Sequence, residues 1–127
     1  MDALVEAALQ VRENAHAPFS KFKVGAALED VDGHVHTGCN VENATYGLTV
    51  CAERVAVFKA VSEGARKFRR IAIAADTDTL TPPCGACRQI LWEFCGDIEL
   101  ILTNPRGKTE TLRLRELFPR PFDASFL

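Results

Sequence analysis

Two thiols three positions apart, in Cys84-Gly85-Ala86-Cys87, are the side chains of this sequence whose spacing points most directly to chemistry. At a helix start the i and i+3 side chains share a face, so both sulfurs can reach one ion or close on each other. Pro83 suits the first helical turn, where the donor it lacks would go unsatisfied anyway. Alone, such a pair is equally a redox dithiol. The discriminating feature lies about 33 positions upstream, where Cys51-Ala52-Glu53-Arg54 opens another helical stretch with a third thiol and a carboxylate two residues on. Positive helix ends lower thiolate pKa values, and three thiolates suit a tetrahedral Zn²⁺ with water in the fourth position, a catalytic pattern rather than a structural one. The competing account makes Cys51 a buried small hydrophobe beside a redox pair, and it leaves Glu53 without a role.

The remaining candidates read more plainly. Five cysteines are an odd number, and no secretion signal opens the chain, so a disulfide framework is not expected. Cys39 and Cys95 lack ligand-like spacing and read as ordinary small residues on a strand and a helix. His34 and His36 point to one strand face beside a turn, which fits a surface hairpin better than a metal pair. His16 has no evident role.

The chain around these residues has 127 positions and is 47% hydrophobic, enough for one domain spanning 1–127 with its own core. The apolar runs fall short of the roughly 20 residues of a membrane span. The formal charge of −2 argues against a nucleic-acid backbone as partner. The densest basic run, Arg66-Lys67-Phe68-Arg69-Arg70, reads as a solvated loop between a helix and a strand. A cytoplasmic protein is expected.

The elements that must position the thiols follow from periodicity. Leu4, Ala8, Val11 and Ala15 predict a first helix ending near His16-Ala17-Pro18. Val24 to Glu29 and His34 to Cys39 predict a hairpin across Asp32-Gly33. A second helix runs from Cys51 to Ser62 and stops at Gly64. Ile71 to Ala75 is a continuous apolar run, as in a central strand covered on both faces. A third helix from Cys84 to Phe94, strands at Ile98–Thr103 and Lys108–Leu112, and a helical turn around Leu114–Phe118 complete the order α-β-β-α-β-α-β-β. That order predicts an α/β fold, a three-layer α/β/α sandwich on a mixed five-stranded sheet, with the second and third helices following neighbouring strands so that their N-termini meet.

Nearly the whole chain resembles the small homotetrameric, zinc-dependent cytidine deaminase family. The likeness runs through Ala17-Pro18-Phe19-Ser20-Lys21-Phe22-Lys23-Val24-Gly25-Ala26-Ala27-Leu28, then Gly38-Cys39-Asn40-Val41-Glu42-Asn43-Ala44-Thr45-Tyr46, Cys51-Ala52-Glu53-Arg54 and Pro83-Cys84-Gly85-Ala86-Cys87-Arg88-Gln89. The resemblance implies Zn²⁺ bound by Cys51, Cys84 and Cys87, with Glu53 as proton shuttle and not a ligand. It implies that Arg54 hydrogen-bonds the zinc cysteinates, which would otherwise leave the ion a poorer Lewis acid. It implies substrate contacts from Phe22 on the pyrimidine ring, from the Ala52 amide on the base carbonyl, and from Asn40 and Glu42 on the sugar hydroxyls. It further implies a homotetramer with shared active sites, Ala44, Tyr46 and Phe122 reaching a neighbour's site, and cytidine or 2′-deoxycytidine as substrate in pyrimidine salvage.

Three departures stand out. Phe19 replaces the usual tyrosine, Pro82 replaces the serine usual before Pro-Cys, and the tail after Phe122 departs from the family's pattern. Two rivals share the zinc chemistry. A blasticidin-type deaminase fits Asn40, Glu42 and the Tyr46 region less well, and nucleic-acid deaminases usually carry His-x-Glu in place of Cys51-Ala52-Glu53. A structural zinc or redox module needs the cysteines but not Glu53, Asn40 or Glu42.

Overall fold

A computed structural model describes all residues, 1–127. Helix α1 spans Ala3–Arg12, and the Asp2 carboxylate accepts its Leu4 N–H at 2.9 Å, filling one of the donors a helix start leaves free. The helix ends well before the expected boundary at His16. Its periodicity continues, but the His16 N–H bonds the Asn40 carbonyl at 3.0 Å and the His16 carbonyl accepts Glu42 N–H at 2.8 Å, so strand-like pairing overrides local pattern.

Five strands follow: β1 (Val24–Asp30), β2 (Val35–Cys39), β3 (Phe68–Ala75), β4 (Glu99–Thr103) and β5 (Thr109–Arg113). They lie in the order β2-β1-β3-β4-β5. The β3–β4 pair is parallel and the other pairs are antiparallel, giving the expected mixed sheet with β3 at its centre. A parallel pair needs a crossover, which α3 (Gly85–Cys95) supplies. The alternation of side chains along β3 divides the core. Ile71 and Ile73 face a cluster that includes Ala26, Leu28, Leu91, Leu100 and Leu102, whereas Ala72 and Ala74 face Leu4, Val5 and Ala8 of α1. Helix α1 therefore covers one face, and α2 (Ala52–Ser62) and α3 cover the other. The last helical turn, α4, spans Leu114–Leu117, and Leu114 joins the cluster around Ile71 and Ile73.

Two glycines let the layers approach. A β-carbon on Gly25 would fall 2.1 Å from the Ala8 carbonyl oxygen of α1, and one on Gly38 would fall 2.5 Å from the Ala56 nitrogen of α2. Both helices thus lie directly on the backbone of the β1–β2 hairpin.

The basic run is only partly a loop. Arg66 and Lys67 precede β3, but Arg69 and Arg70 belong to it. Arg70 Nε donates to Glu29 Oε1 at 3.0 Å, and its guanidinium also pairs with Asp2, joining the cap of α1 to the sheet. His36 is likewise more than a surface residue, since its ring bridges Asp30 Oδ2 and Glu63 Oε1, both at 2.9 Å. No helix is long and apolar enough to cross a membrane.

Candidate active site

Cys51 is the N-cap of α2 and Cys84 the N-cap of α3, with Cys87 in the first turn of α3. Neither capping side chain bonds a backbone N–H of its own helix, and both sulfurs are instead gathered with Cys87 at the two helix N-termini. The strands that precede these helices, β2 and β3, are not neighbours as the sequence suggested; β1 lies between them. The N-termini meet instead because both helices pack on one face of the sheet, with Ala52, Ala56 and Leu91 in one cluster. Pro83 stands one residue before the cap rather than inside the first turn.

The three Sγ atoms lie within 4.8 Å of one another. Tetrahedral Zn²⁺ with bonds of about 2.3 Å to sulfur calls for thiolates at such spacing. The charge on Cys51 is already favoured: the Cys87 thiol donates to it and the Arg54 guanidinium lies beside it, and together these outweigh burial and hold its pKa well below the ordinary thiol value. Donating to Cys51, together with burial, holds Cys87 above that value. Arg54 Nη2 lies 3.4 Å from the Cys51 sulfur and 3.5 Å from the Thr49 carbonyl, while its buried Nε has no partner. A donor left unpaired beside sulfurs fits a site whose thiolates carry more charge once an ion is held. Cys39 and Cys95 stand apart from this trio, and burial pushes the Cys95 thiol up to about 12, which makes it unreactive.

Glu53 lies one residue inside α2 and is 5% exposed. Burial, with the Cys51 charge adding, raises its carboxyl to about 7. It opens onto a cavity of about 170 Å³ whose wall includes Phe22, Asn40, Ala52, Cys51 and Cys84. That is several times the roughly 30 Å³ share of one liquid water, room for a single small ring. Thr49, Ile73, Val24 and Thr81 also line it, and none of these was singled out from sequence. Val24 and Ile73 read there only as strand residues, and two threonines in loops carry no motif. Pro82 is in the wall as well, so that departure from the usual serine falls inside the cavity.

The other expected substrate contacts divide. Asn40 is 8% exposed; its Oδ1 accepts Val24 N–H at 2.8 Å and its Nδ2 donates to the Phe22 carbonyl at 2.7 Å. Glu42 borders an adjoining hollow together with Phe19, Ser20, Tyr46 and Thr49. Its Oε1 accepts Phe19 and Ser20 N–H at 3.0 and 3.1 Å, and its Oε2 accepts the Ser20 hydroxyl. These bonds hold the 17–23 loop, in which Lys21 takes a left-handed φ of 62° just before Phe22. Ala44 is exposed and Tyr46 strongly so. Phe122 stacks on Phe126 at 5.6 Å, and its carbonyl accepts Gln89 Nε2 at 2.8 Å, so its ring lies outside this chain's own cavity.

The likenesses to known proteins agree with the geometry. Residues 1–102 match the family described as the cytidine and deoxycytidylate deaminase zinc-binding region. A cytidine deaminase of Halalkalibacterium halodurans is 51% identical over 122 residues, 95% of this chain and 92% of that relative. One from Sporosarcina psychrophila is 47% identical over 123 residues, 96% of this chain and 90% of the relative. The crystal structure of cytidine deaminase from Burkholderia pseudomallei superposes with a TM-score of 0.91 at 49% identity, covering 94% of this chain and 97% of the other. With its three thiols, its buried carboxyl and this likeness over nearly its whole length, the chain belongs to the cytidine and deoxycytidylate deaminase family.

Proposed function

We propose that this protein is a zinc-dependent hydrolase that converts cytidine, and 2′-deoxycytidine, with water to uridine or deoxyuridine and ammonia. The observation that carries the reading is the meeting of three thiols within 4.8 Å of one another with a buried carboxyl at a cavity sized for one ring. Cys51, Cys84 and Cys87 hold Zn²⁺, which when bound supplies the Lewis acidity that brings a water molecule's pKa toward neutrality for attack at C4.

The protein's own groups do the rest. Glu53 takes the proton of the attacking water, delivers it to N3, and later carries a proton to the leaving amine, so that one carboxyl serves as base and then as acid. Arg54 donates to the sulfurs and disperses their charge. Phe22 packs on the pyrimidine, the Ala52 N–H donates to the base carbonyl, and the Pro82 carbonyl accepts from the amine. Asn40 and Glu42 receive the sugar hydroxyls. Each still has hydrogen-bonding capacity after the loop bonds described above.

In the same reading the working unit is a cytoplasmic homotetramer with shared sites, in which Ala44, Tyr46 and Phe122 complete a neighbour's cavity. Tyr46 and Phe122, 77% and 56% exposed, are large apolar surfaces for which such a contact gives a partner.

The test is the fall in ultraviolet absorbance of cytidine with purified protein, with zinc measured per chain. Turnover with about one zinc per chain is expected, and Glu53→Gln should keep the zinc and lose at least about a hundredfold in kcat. A Glu53→Gln protein with zinc and full turnover would remove Glu53 from the chemistry, and zinc without cytidine turnover in the parent would overturn the substrate assignment.

A further inference from the structure

Asn104 follows β4 and is 2% exposed, although it is polar and opens a turn. Its Oδ1 accepts the backbone N–H of Arg106 at 3.0 Å and of Lys108 at 3.1 Å, and its Nδ2 donates to the Thr77 carbonyl at 3.1 Å. The two backbone donors identify the oxygen, so the amide nitrogen must face Thr77. The turn itself uses only Oδ1, and an aspartate would serve there equally well. The Nδ2 bond reaches a different segment, residues 76–84 between β3 and α3.

That segment carries Thr81 and Pro82 in the cavity wall and the Cys84 sulfur of the thiol trio. It has little backbone order of its own. Of residues 77–83, only Thr77 makes a backbone–backbone hydrogen bond, to Ala75. Side chains hold it in place. The Thr77 and Thr81 hydroxyls lie 2.7 Å apart, Lys108 Nζ donates to the Asp78 carbonyl at 2.9 Å, Arg88 Nε donates to the Pro83 carbonyl at 2.8 Å at the segment's other end, and Arg106 pairs with Asp76 and Asp78. The Arg106 pairs are largely exposed and weakly held in water. The Asn104 bond comes from a buried side chain, where losing a partner matters more.

We infer that Asn104 is a positioning residue for the metal and substrate site: its amide, held rigid by the β4–β5 turn, fixes the Thr77 carbonyl and thereby the placement of Thr81, Pro82 and the Cys84 sulfur. The inference rests on the three-thiol zinc reading above. It gives the turn at the C-terminal end of the parallel β3–β4 pair, beside the segment that leaves β3, a role in holding zinc and admitting substrate, through a residue that touches neither.

The test is Asn104→Asp, which keeps the acceptor for Arg106 and Lys108 but turns an oxygen toward the Thr77 carbonyl. Zinc release to a chromogenic chelator should speed up about tenfold, and KM for cytidine should rise about tenfold. Ile98→Val, a core truncation beside β4, should lower the melting temperature and leave zinc release and KM within about twofold of the parent. Thr77→Val, which cuts the hydroxyl pair with Thr81, should speed zinc release in the same direction by less, and Thr77→Ser should restore the parent rate. Parent-like zinc release and KM in Asn104→Asp would overturn the inference, as would Ile98→Val matching its effect. If Asn104→Asp fails to fold, Asn104→Ser, which leaves an oxygen near the turn but no amide to reach Thr77, decides: parent-like zinc release and KM in it overturn the inference. Zinc release needs no turnover, so a parent protein inactive on cytidine would sink the substrate reading while this comparison still gave its answer.

Discussion

Asn40 and Glu42 each do two things with one side chain. The Asn40 amide ties Val24 N–H to the Phe22 carbonyl, and the Glu42 carboxylate gathers Phe19 and Ser20. Both therefore build the loop that carries Phe22 while also lining, respectively, the cavity and the hollow beside it, where the proposed function places the sugar. Asn40→Ala should accordingly cost about 1 kcal/mol of stability, because it leaves the half-buried Val24 N–H and the Phe22 carbonyl without their partner. It should also raise KM for cytidine, as read by thermal melting and steady-state kinetics on the same preparation. A raised KM with unchanged stability would mean that the loop bonds are dispensable. At this scale the sequence was most legible where residue type alone restricts chemistry. Cys51, Cys84, Cys87 and Glu53 could be singled out because few other roles suit three thiols and a carboxylate at helix starts. Thr49 and Thr81 could not, because a threonine in a loop has many uses and only the folded path of the chain turns them toward the cavity. Asn104 was hidden for the same reason, since its neighbours suggested a turn and nothing more.

Among the elements, the contact of α2 with β2 is the one on which the site depends. The start of α2 brings Cys51, Ala52 and Glu53 to the cavity and Arg54 beside the Cys51 sulfur, and Gly38 allows that helix to lie against the strand. Gly38→Ala should force α2 outward, destabilise the protein by about 1–3 kcal/mol, and lower both zinc content and turnover. Gly25→Ala should destabilise it at least as much through α1 while leaving zinc content per folded chain at the parent level, because α1 packs on the opposite face. Melting curves paired with zinc analysis separate the two, and equal zinc loss in both would show that the site responds to general loosening. Element types and order were readable from periodicity, and β3 was placed centrally by its run of apolar residues. Boundaries were less so: α1 stops short because the His16 backbone is taken by Asn40 and Glu42, a pairing between residues over twenty positions apart. The start of β3 was masked by arginines, whose charges are answered by Glu29 and Asp2 across the sheet and so did not look like strand residues.

For the whole molecule, the surface exposes several aromatic rings, among them Phe19, Tyr46, Phe58, Phe94, Phe122 and Phe126, which the proposed tetramer would cover in part. Sedimentation should give a mass near four chains, and the joint change Tyr46→Ala with Phe122→Ala should lower turnover per chain about tenfold or more while leaving zinc content unchanged. A monomer with full activity would refute shared sites. The sequence foretold the sheet and its covering layers, because hydrophobic periodicity reports which faces are buried, but it was silent on how the tail docks on α3 through Gln89 and Trp92. Such contacts depend on where the chain happens to return. The pairing of β1 with β3 also sets an order in time. Val24 meets Ala75, and Cys51 meets Cys84, only after most of the chain exists. During synthesis on a ribosome the first thiol of the trio emerges well before its companions and before the strand that gathers them, so the three sulfurs can share one ion only after Cys87 has left the ribosome.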